Sequence, residues 1–165
     1  MSQMNRTALI AVLLVVSGTG IVTPGIATAD PAEFALNGTF TAISDGNFAK
    51  TNERRHNEAT VVSTWTITTS CRTAIDCSGH MSSDQGWTAD VGYTDPLWYV
   101  TRTLPDWMKC PDGTTAPGQQ TFKFFEDQFN EPILRGWDNT LGPSGACGVN
   151  KAVNIEMPFK LIPIG

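Results

Sequence analysis

Thr60 to Thr68 reads TVVSTWTIT, and this stretch decides the fold class. Val61, Trp65 and Ile67 fall on one side of an extended chain, whereas threonines line the other side. This alternation with period two predicts a β-strand that packs one face on a core and exposes the other face to water. β-Branched and aromatic residues favour the same conformation. The chain is therefore predicted to be rich in half-buried β-strands.

Further segments of the chain have similar strand patterns. They are Leu36 to Ile43, Ser78 to Ser83, Leu97 to Thr103, Thr121 to Glu126 and a C-terminal run in which Val153, Ile155, Met157, Phe159 and Leu161 occupy alternate positions. Pro158 in that run has no backbone N–H, which predicts an edge strand or a bulge. Only the polar stretch Phe48 to Ala59 has any helical signal, and it lacks an apolar stripe. The pattern indicates an all-β, mainly antiparallel fold, either a small β-sandwich or a partly open barrel.

Four cysteines form an even set of Cys71, Cys77, Cys110 and Cys147. In an exported chain such a set predicts two disulfides, and four cysteines permit three pairings. We favour Cys71–Cys77 and Cys110–Cys147, because the first pair flanks a short loop between two predicted strands and the second would join two turn-rich loops. The C-x5-C spacing is typical of neither a zinc site nor a redox dithiol.

The first 29 residues have the organisation of a secretory signal peptide. Arg6 precedes an apolar run from Ala8 to Val16, and Ala27-Thr28-Ala29 forms an A-x-A cleavage site before Asp30. The apolar run is shorter than the roughly 20 residues of a membrane-spanning helix. We therefore predict a cleaved signal helix over 1–29, one secreted β-rich domain over 30–165 and no membrane span after cleavage.

Charge and motifs exclude several classes of partner and site. The formal net charge of the chain is −5, and its basic residues do not cluster, which argues against a nucleic acid partner. His56 and His80 are the only histidines, and neither belongs to a metal-binding motif. The sequence thus predicts no metal site and no cofactor.

Neither of two possible catalytic arrangements yields a predicted catalytic residue. The segment Gly142-Pro143-Ser144-Gly145 lacks the final glycine of a nucleophile elbow and is typical of a turn. The carboxylates available for glycoside hydrolysis are Asp84, Asp90, Asp95 and Asp106. Glycosidases require two carboxylates at a defined separation, which the sequence does not specify.

Tryptophan is the most informative residue type for ligand binding, and the chain has five. Trp65 and Trp98 lie in strand patterns and are predicted to be core residues. Trp87 and Trp107 lie in loop-like contexts. A loop tryptophan forms a binding platform or, more often, a lid over one end of a small β-core. Trp87 and Trp107 are therefore the two candidate binding residues.

Several segments resemble a family of small secreted mycobacterial and related actinobacterial proteins of unknown function. They include Leu36-Asn37-Gly38-Thr39-Phe40, Ser83-Asp84-Gln85-Gly86-Trp87, Cys110-Pro111-Asp112-Gly113, Gly142-Pro143-Ser144-Gly145-Ala146-Cys147-Gly148 and Met157-Pro158-Phe159-Lys160-Leu161. The stretch S-T-W-T-I-x-x-S-C that ends at Cys71 is also similar to extracellular sensor-like domains of some mycobacterial serine/threonine kinases. The resemblance implies an exported β-rich module and transfers no active site.

The function predicted from the sequence is a non-enzymatic binding or interaction module in the cell envelope or extracellular space. Its ligand would be a protein, a glycan or a lipid. The alternative is a small secreted hydrolase that acts on envelope carbohydrate or ester. A lipid carrier would need a hollow apolar barrel, whereas five tryptophans and eight phenylalanines predict a filled core.

Signal cleavage makes the first testable prediction. The exported protein is expected to begin at Asp30, because the A-x-A site directly precedes that residue. Intact-mass and N-terminal peptide analysis of protein from the culture medium measures the start directly. An exported chain that still begins at Met1 would contradict the predicted processing.

Overall fold

The structure, a computed structural model, describes residues 30–129 and 132–165, so the predicted signal segment lies outside the described residues. The ten strands are β1 (Gly38–Ser44), β2 (Lys50–Thr51), β3 (Arg54–Arg55), β4 (Val61–Thr73), β5 (Asp76–Ser83), β6 (Thr88–Thr94), β7 (Leu97–Lys109), β8 (Thr115–Glu126), β9 (Leu134–Leu141) and β10 (Asn154–Pro163). Short 3-10 turns occupy Pro31–Phe34, Gly46–Phe48 and Ala146–Gly148. Within the described ranges, no helix is long and apolar enough to cross a membrane.

Eight of the strands close into an antiparallel barrel. Their order around it is β1-β4-β5-β6-β7-β8-β9-β10, and β10 pairs back onto β1 from Phe40 opposite Pro163 to Ser44 opposite Phe159. The predicted all-β antiparallel class is confirmed. The sandwich alternative is wrong, and the barrel is closed rather than partly open. Period-two alternation is the same in a sandwich and a barrel, so only the long-range pairing of β1 with β10 distinguishes them.

The prediction that Pro158 marks an edge strand is also wrong, because β10 is paired along both edges. One edge lies against β9, with Pro158 opposite Trp137. The other edge pairs with β2 near its start and with β1 near its end. Pro158 lies between these two ladders, where its carbonyl accepts a hydrogen bond from Asp45 N at 2.9 Å. The missing N–H therefore falls where the ladder is interrupted.

Several elements extend beyond or differ from the predicted ones. β6 and β9 were not predicted, because each carries a glycine and polar residues in place of a clear apolar alternation. β8 begins at Thr115, before the predicted start at Thr121, and includes Pro117 and Gly118. β7 continues to Lys109 and includes Trp107, which was predicted to be in a loop. The polar stretch after Phe48 forms the small β2–β3 hairpin and no helix.

One half of the barrel interior is filled by aromatic side chains. The Trp65 ring centroid lies 4.8 Å from that of Phe122 and 5.3 Å from that of Phe159. Phe124 and Trp98 are buried beside them, so the predicted core positions of Trp65 and Trp98 are confirmed. The chain before β1 packs against this end of the barrel through Leu36.

Two disulfides cross-link the barrel. Cys71 and Cys77 face each other on β4 and β5, and Cys110 at the end of β7 is joined to Cys147 in the turn Ala146–Gly148. This is the pairing favoured from the sequence. The first disulfide cross-links β4 and β5, which backbone hydrogen bonds already join. The second disulfide joins two loops at one end of the barrel.

Replacing Cys110 and Cys147 by serine is therefore expected to lower the free energy of unfolding more than replacing Cys71 and Cys77. The sequence separations are 37 and 6 residues, and the chain-entropy model assigns about 4 kcal/mol to the longer loop and about 2.4 kcal/mol to the shorter one. Urea denaturation of the two double variants measures the difference. Equal decreases would contradict the dominance of loop length.

Candidate functional site

The end of the barrel beyond Trp65 opens into a cavity of about 410 Å³. The aromatic rings of Trp65, Phe122 and Phe159 form its apolar floor. Inward-facing polar side chains of β1, β7, β8 and β9 form part of its wall, and Leu104 and Met157 add apolar surface. The cavity is thus amphipathic, with a mainly apolar floor and a polar wall.

The polar wall is a connected network centred on Asp138. Ser44 Oγ donates to Asp138 Oδ2 at 2.7 Å, and Gln120 Nε2 donates to Oδ1 at 2.8 Å and to Oδ2 at 3.0 Å. The Oε1 atom of Gln120 accepts from Arg102 Nε at 2.6 Å. Strand register explains the last contact, because Arg102 on β7 lies directly opposite Gln120 on β8. One glutamine thereby links a carboxylate to a guanidinium.

Burial dominates the electrostatics of this network. Asp138 is 1% exposed. Its burial raises the pKa of the carboxyl group above the usual value, and the hydrogen bonds from Ser44 and Gln120, together with the charge of Arg102, oppose that rise. Burial likewise lowers the pKa of the Arg102 guanidinium, against the opposing effect of Asp138. Both charges are therefore only partly compensated by their surroundings.

Trp87 lies at the cavity wall and is held by ring packing. Its ring centroid is 5.4 Å from that of Trp65 in an edge contact and 6.2 Å from that of Phe122 in a stacked one. The Arg102 guanidinium carbon lies 3.9 Å from the Trp87 ring centroid, a close cation–π contact. Trp87 Nε1 is buried and has no acceptor among the described residues. The ring can therefore shift without breaking a hydrogen bond.

Trp107 lines the same cavity, and two glycines make room for its ring. A Cβ atom added at Gly118 would lie 2.7 Å from Trp107 Cδ2, and one added at Gly142 would lie 2.8 Å from Cζ3. Both approaches are closer than real Cβ contacts allow. The Cys110–Cys147 disulfide joins the segments that follow Trp107 and Gly142. The Trp107 ring therefore lies against Gly118 on β8 and Gly142 after β9, and the disulfide joins its own strand to the second of these segments.

The structure brings the two predicted binding candidates, Trp87 and Trp107, to one cavity. Their role in binding stays a prediction. The sequence reading missed Arg102, Gln120 and Asp138 as site residues. The available signal was a polar residue at an inward position, since Gln120 lies two residues before Phe122 and shares its face of β8. Asp138 lies in β9, which was not recognised as a strand.

Of the catalytic candidates, only the His56–Glu58 pair reaches the cavity, through Glu58. The lining of the cavity includes none of the carboxylates Asp84, Asp90, Asp95 and Asp106. His80 Nδ1 lies 2.7 Å from Asp90 Oδ1, with both side chains exposed, and His56 Nδ1 lies 2.9 Å from Glu58 Oε1. Ser144 Oγ donates to Asn150 Oδ1 in an exposed turn. In the part of the chain that the structure describes, no three metal-ligating side chains form a candidate metal site.

Comparison with solved structures matches the fold to the monomer form of the M. tuberculosis PknI sensor domain. The TM-score is 0.58 at 12% sequence identity, over 79% of this chain and 88% of that chain. The predicted similarity to sensor-like domains of mycobacterial kinases is thus confirmed, and at this identity it concerns the fold alone. No protein-family model and no curated protein matches the sequence. The resemblance to small secreted actinobacterial proteins stays a prediction.

The buried carboxyl group makes a pH prediction. Because the pKa of Asp138 is raised in the folded state, the folded protein binds its proton more tightly than the unfolded chain, whose aspartate pKa is about 3.9. Protonation of Asp138 adds nothing to the free energy of unfolding at pH values above the pKa that Asp138 has in the folded protein. Its contribution grows as the pH falls below that pKa towards about 4. Relative to Asp138→Asn, the wild-type protein is expected to gain stability as the pH falls from 7.

Urea denaturation of both proteins across this pH range measures the effect. Asp84→Asn, at an exposed carboxylate in the β5–β6 turn, is the matched control for the loss of one acidic side chain. A constant difference between wild type and Asp138→Asn from pH 7 to 4 would contradict a raised pKa for Asp138.

Proposed function

We propose that this protein is a non-enzymatic, extracytoplasmic module that binds a small ligand in the open end of its barrel. The observation that carries the proposal is the cavity of about 410 Å³, where aromatic rings and a connected polar network converge. The working unit is the domain over 30–165, after removal of the signal segment. Trp87 and Trp107 are the proposed binding residues at the cavity wall.

Barrel geometry supports a binding role. An interior of eight strands is just wide enough to be filled by side chains or to hold one small ligand. Here the two solutions are combined, because Trp65, Phe122 and Phe159 fill one half and the other half is left open. Small-molecule sites are commonly 300–1,000 Å³, mostly apolar, with a few well-placed polar groups, and the mouths of β-barrels are a preferred location.

The proposed location outside the cytoplasm rests on the disulfides and the predicted signal peptide. Disulfides persist in oxidising compartments and are rare in the cytosol. The fold is shared with a protein named as a sensor domain. A sensor needs a site whose occupancy it can report, and a barrel with one open end supplies such a site. We therefore favour a small-molecule ligand over a protein partner.

Binding is favoured over hydrolysis because the buried carboxylate at the cavity is engaged on both oxygens. Asp138 accepts hydrogen bonds from Ser44 and Gln120 on both oxygens. Glu58 Oε1 is 2.9 Å from His56 Nδ1 and accepts from Thr51 Oγ1 at 3.4 Å. Asp138, the buried carboxylate, therefore has no oxygen without a hydrogen-bond donor, whereas Glu58 is engaged through Oε1 alone. The ligand is expected to be released unchanged.

NMR spectroscopy tests the proposal through the five indole N–H signals. The probes are naphthalene-2-sulfonate, naphthalene-2-sulfonamide, 2-naphthylmethylamine and octyl glucoside, which span anionic, neutral, cationic and glycan chemistry. At least one probe is expected to shift the Trp87 and Trp107 signals and to leave the Trp137 signal in place, because Trp137 is on the outer surface and 44% exposed. The absence of any shift at Trp87 and Trp107 with all four probes would overturn the proposal.

Trp107→Ala is expected to weaken binding of the best probe about tenfold, because loss of a contacting aromatic ring typically costs 1 kcal/mol or more. Trp137→Ala is the matched control, since its ring packs on Phe125 outside the barrel, and it should leave the affinity unchanged. Isothermal titration calorimetry measures both. Equal affinities in the two variants would contradict binding at this cavity, and turnover of the probe would contradict a purely binding role.

A further inference from the structure

We propose that the ligand is a small organic acid, whose anionic group binds the terminal nitrogens of Arg102 and whose apolar body lies over the aromatic floor. This inference rests on the proposed function and specifies the ligand class for the same cavity. It depends on three features of the described residues: the unused edge of Arg102, the engaged state of the nearby carboxylates, and the apolar surface beside them.

Arg102 is held in place and yet has hydrogen-bonding capacity to spare. Its Nε donates to Gln120 and its guanidinium carbon lies 3.9 Å from the Trp87 ring centroid, so two contacts hold the group in place. No acceptor among the described residues pairs with its two terminal nitrogens. A guanidinium edge presents two parallel N–H groups that match the oxygens of a carboxylate, sulfonate or phosphate.

Arg102 is also short of compensating charge. No salt bridge joins it to a carboxylate in the part of the chain that the structure describes. Asp138 is near enough to act on it electrostatically, but the oxygens of Asp138 are occupied by Ser44 and Gln120. Gln120 separates the two charges by donating to one and accepting from the other. The terminal nitrogens of Arg102 therefore lack an anionic partner, and a ligand can supply one.

The rest of the cavity selects a ligand with an apolar body. Leu104, Trp107 and Met157 line it beside Arg102, and the rings of Trp65 and Phe122 lie beneath. A purely hydrophilic anion, such as inorganic phosphate, would leave this surface unused. An acid that carries a ring or a short chain buries it, with a gain roughly proportional to the apolar area removed from water.

The overall charge of the protein does not prevent anion binding. The formal net charge is −5, but exposed charges more than about 8 Å apart are largely screened at physiological ionic strength. The guanidinium acts at contact distance in a partly desolvated site, where its interaction with an anion is much stronger than in water. Anion preference is therefore a property of the cavity and not of the whole surface.

The test compares two probes of nearly equal shape and different charge, naphthalene-2-sulfonate and naphthalene-2-sulfonamide. Wild-type protein is expected to bind the sulfonate at least about tenfold more tightly. Arg102→Gln should weaken sulfonate binding about 10- to 100-fold and sulfonamide binding by a smaller factor, about 2- to 10-fold, because the neutral probe loses only uncharged acceptor contacts. Arg102→Lys keeps the charge and loses the paired N–H groups, so an intermediate loss is expected.

Asp138→Asn should change sulfonate affinity in the opposite direction to Arg102→Gln. It removes the negative charge near Arg102, so sulfonate binding should become tighter, whereas sulfonamide binding should not. The indole N–H spectrum of each variant reports whether it is folded. If Arg102→Gln is not folded, Arg102→Lys takes its place in the comparison. Equal wild-type affinities for the two probes, with shifts at Trp87 and Trp107, would reject the organic acid and leave the proposed function standing. Tighter binding of 2-naphthylmethylamine than of the sulfonate would also reject the organic acid. If no probe shifts the Trp87 and Trp107 signals, the proposed function itself is rejected.

Discussion

The pairing of β10 with β1 is the constraint on which the rest of this structure depends. It joins residues more than a hundred positions apart, from Phe40 opposite Pro163 to Ser44 opposite Phe159, and turns a curved sheet into a closed barrel. Closure removes sheet edges, which are otherwise sites of aggregation. It also sets the radius, since an eight-stranded barrel has room for one layer of side chains or one small ligand. Every inward-facing residue is consequently either core or cavity wall.

The interior is divided along the strands, and β8 illustrates how. Gln120, Phe122 and Phe124 all point inward, and they change from polar to aromatic along the barrel axis. β9 follows the same gradient, with Asp138 buried near the open end and Leu134 buried near the other. The aromatic half supplies stability through burial, and the polar half holds charged groups that a purely structural core would exclude. Such a gradient suits a barrel with one filled end and one binding end.

The strand content was predictable from the residues, whereas closure and the polar network were not. The alternation around Trp65 identified β4 and its buried face, and cysteine spacing identified the disulfide pairs. β9 was missed because Gly136 and polar residues interrupt its pattern, and Asp138 was missed with it. Gln120 lies one residue before the predicted start of its strand. Arg102 shares the inward face of β7 with Trp98 and Val100, so its position was predictable, whereas its partners on other strands were not.

Intermolecular nuclear Overhauser effects from bound naphthalene-2-sulfonate test the central claim most directly. Binding in the open end of the barrel predicts effects from the probe to the Met157 methyl group and the Trp107 ring, which line the cavity. The Met81 methyl group, which is buried in the filled half, should remain silent. Effects confined to Trp137 on the outer surface, or to Phe34 and Ile164 at the opposite end, would contradict the account.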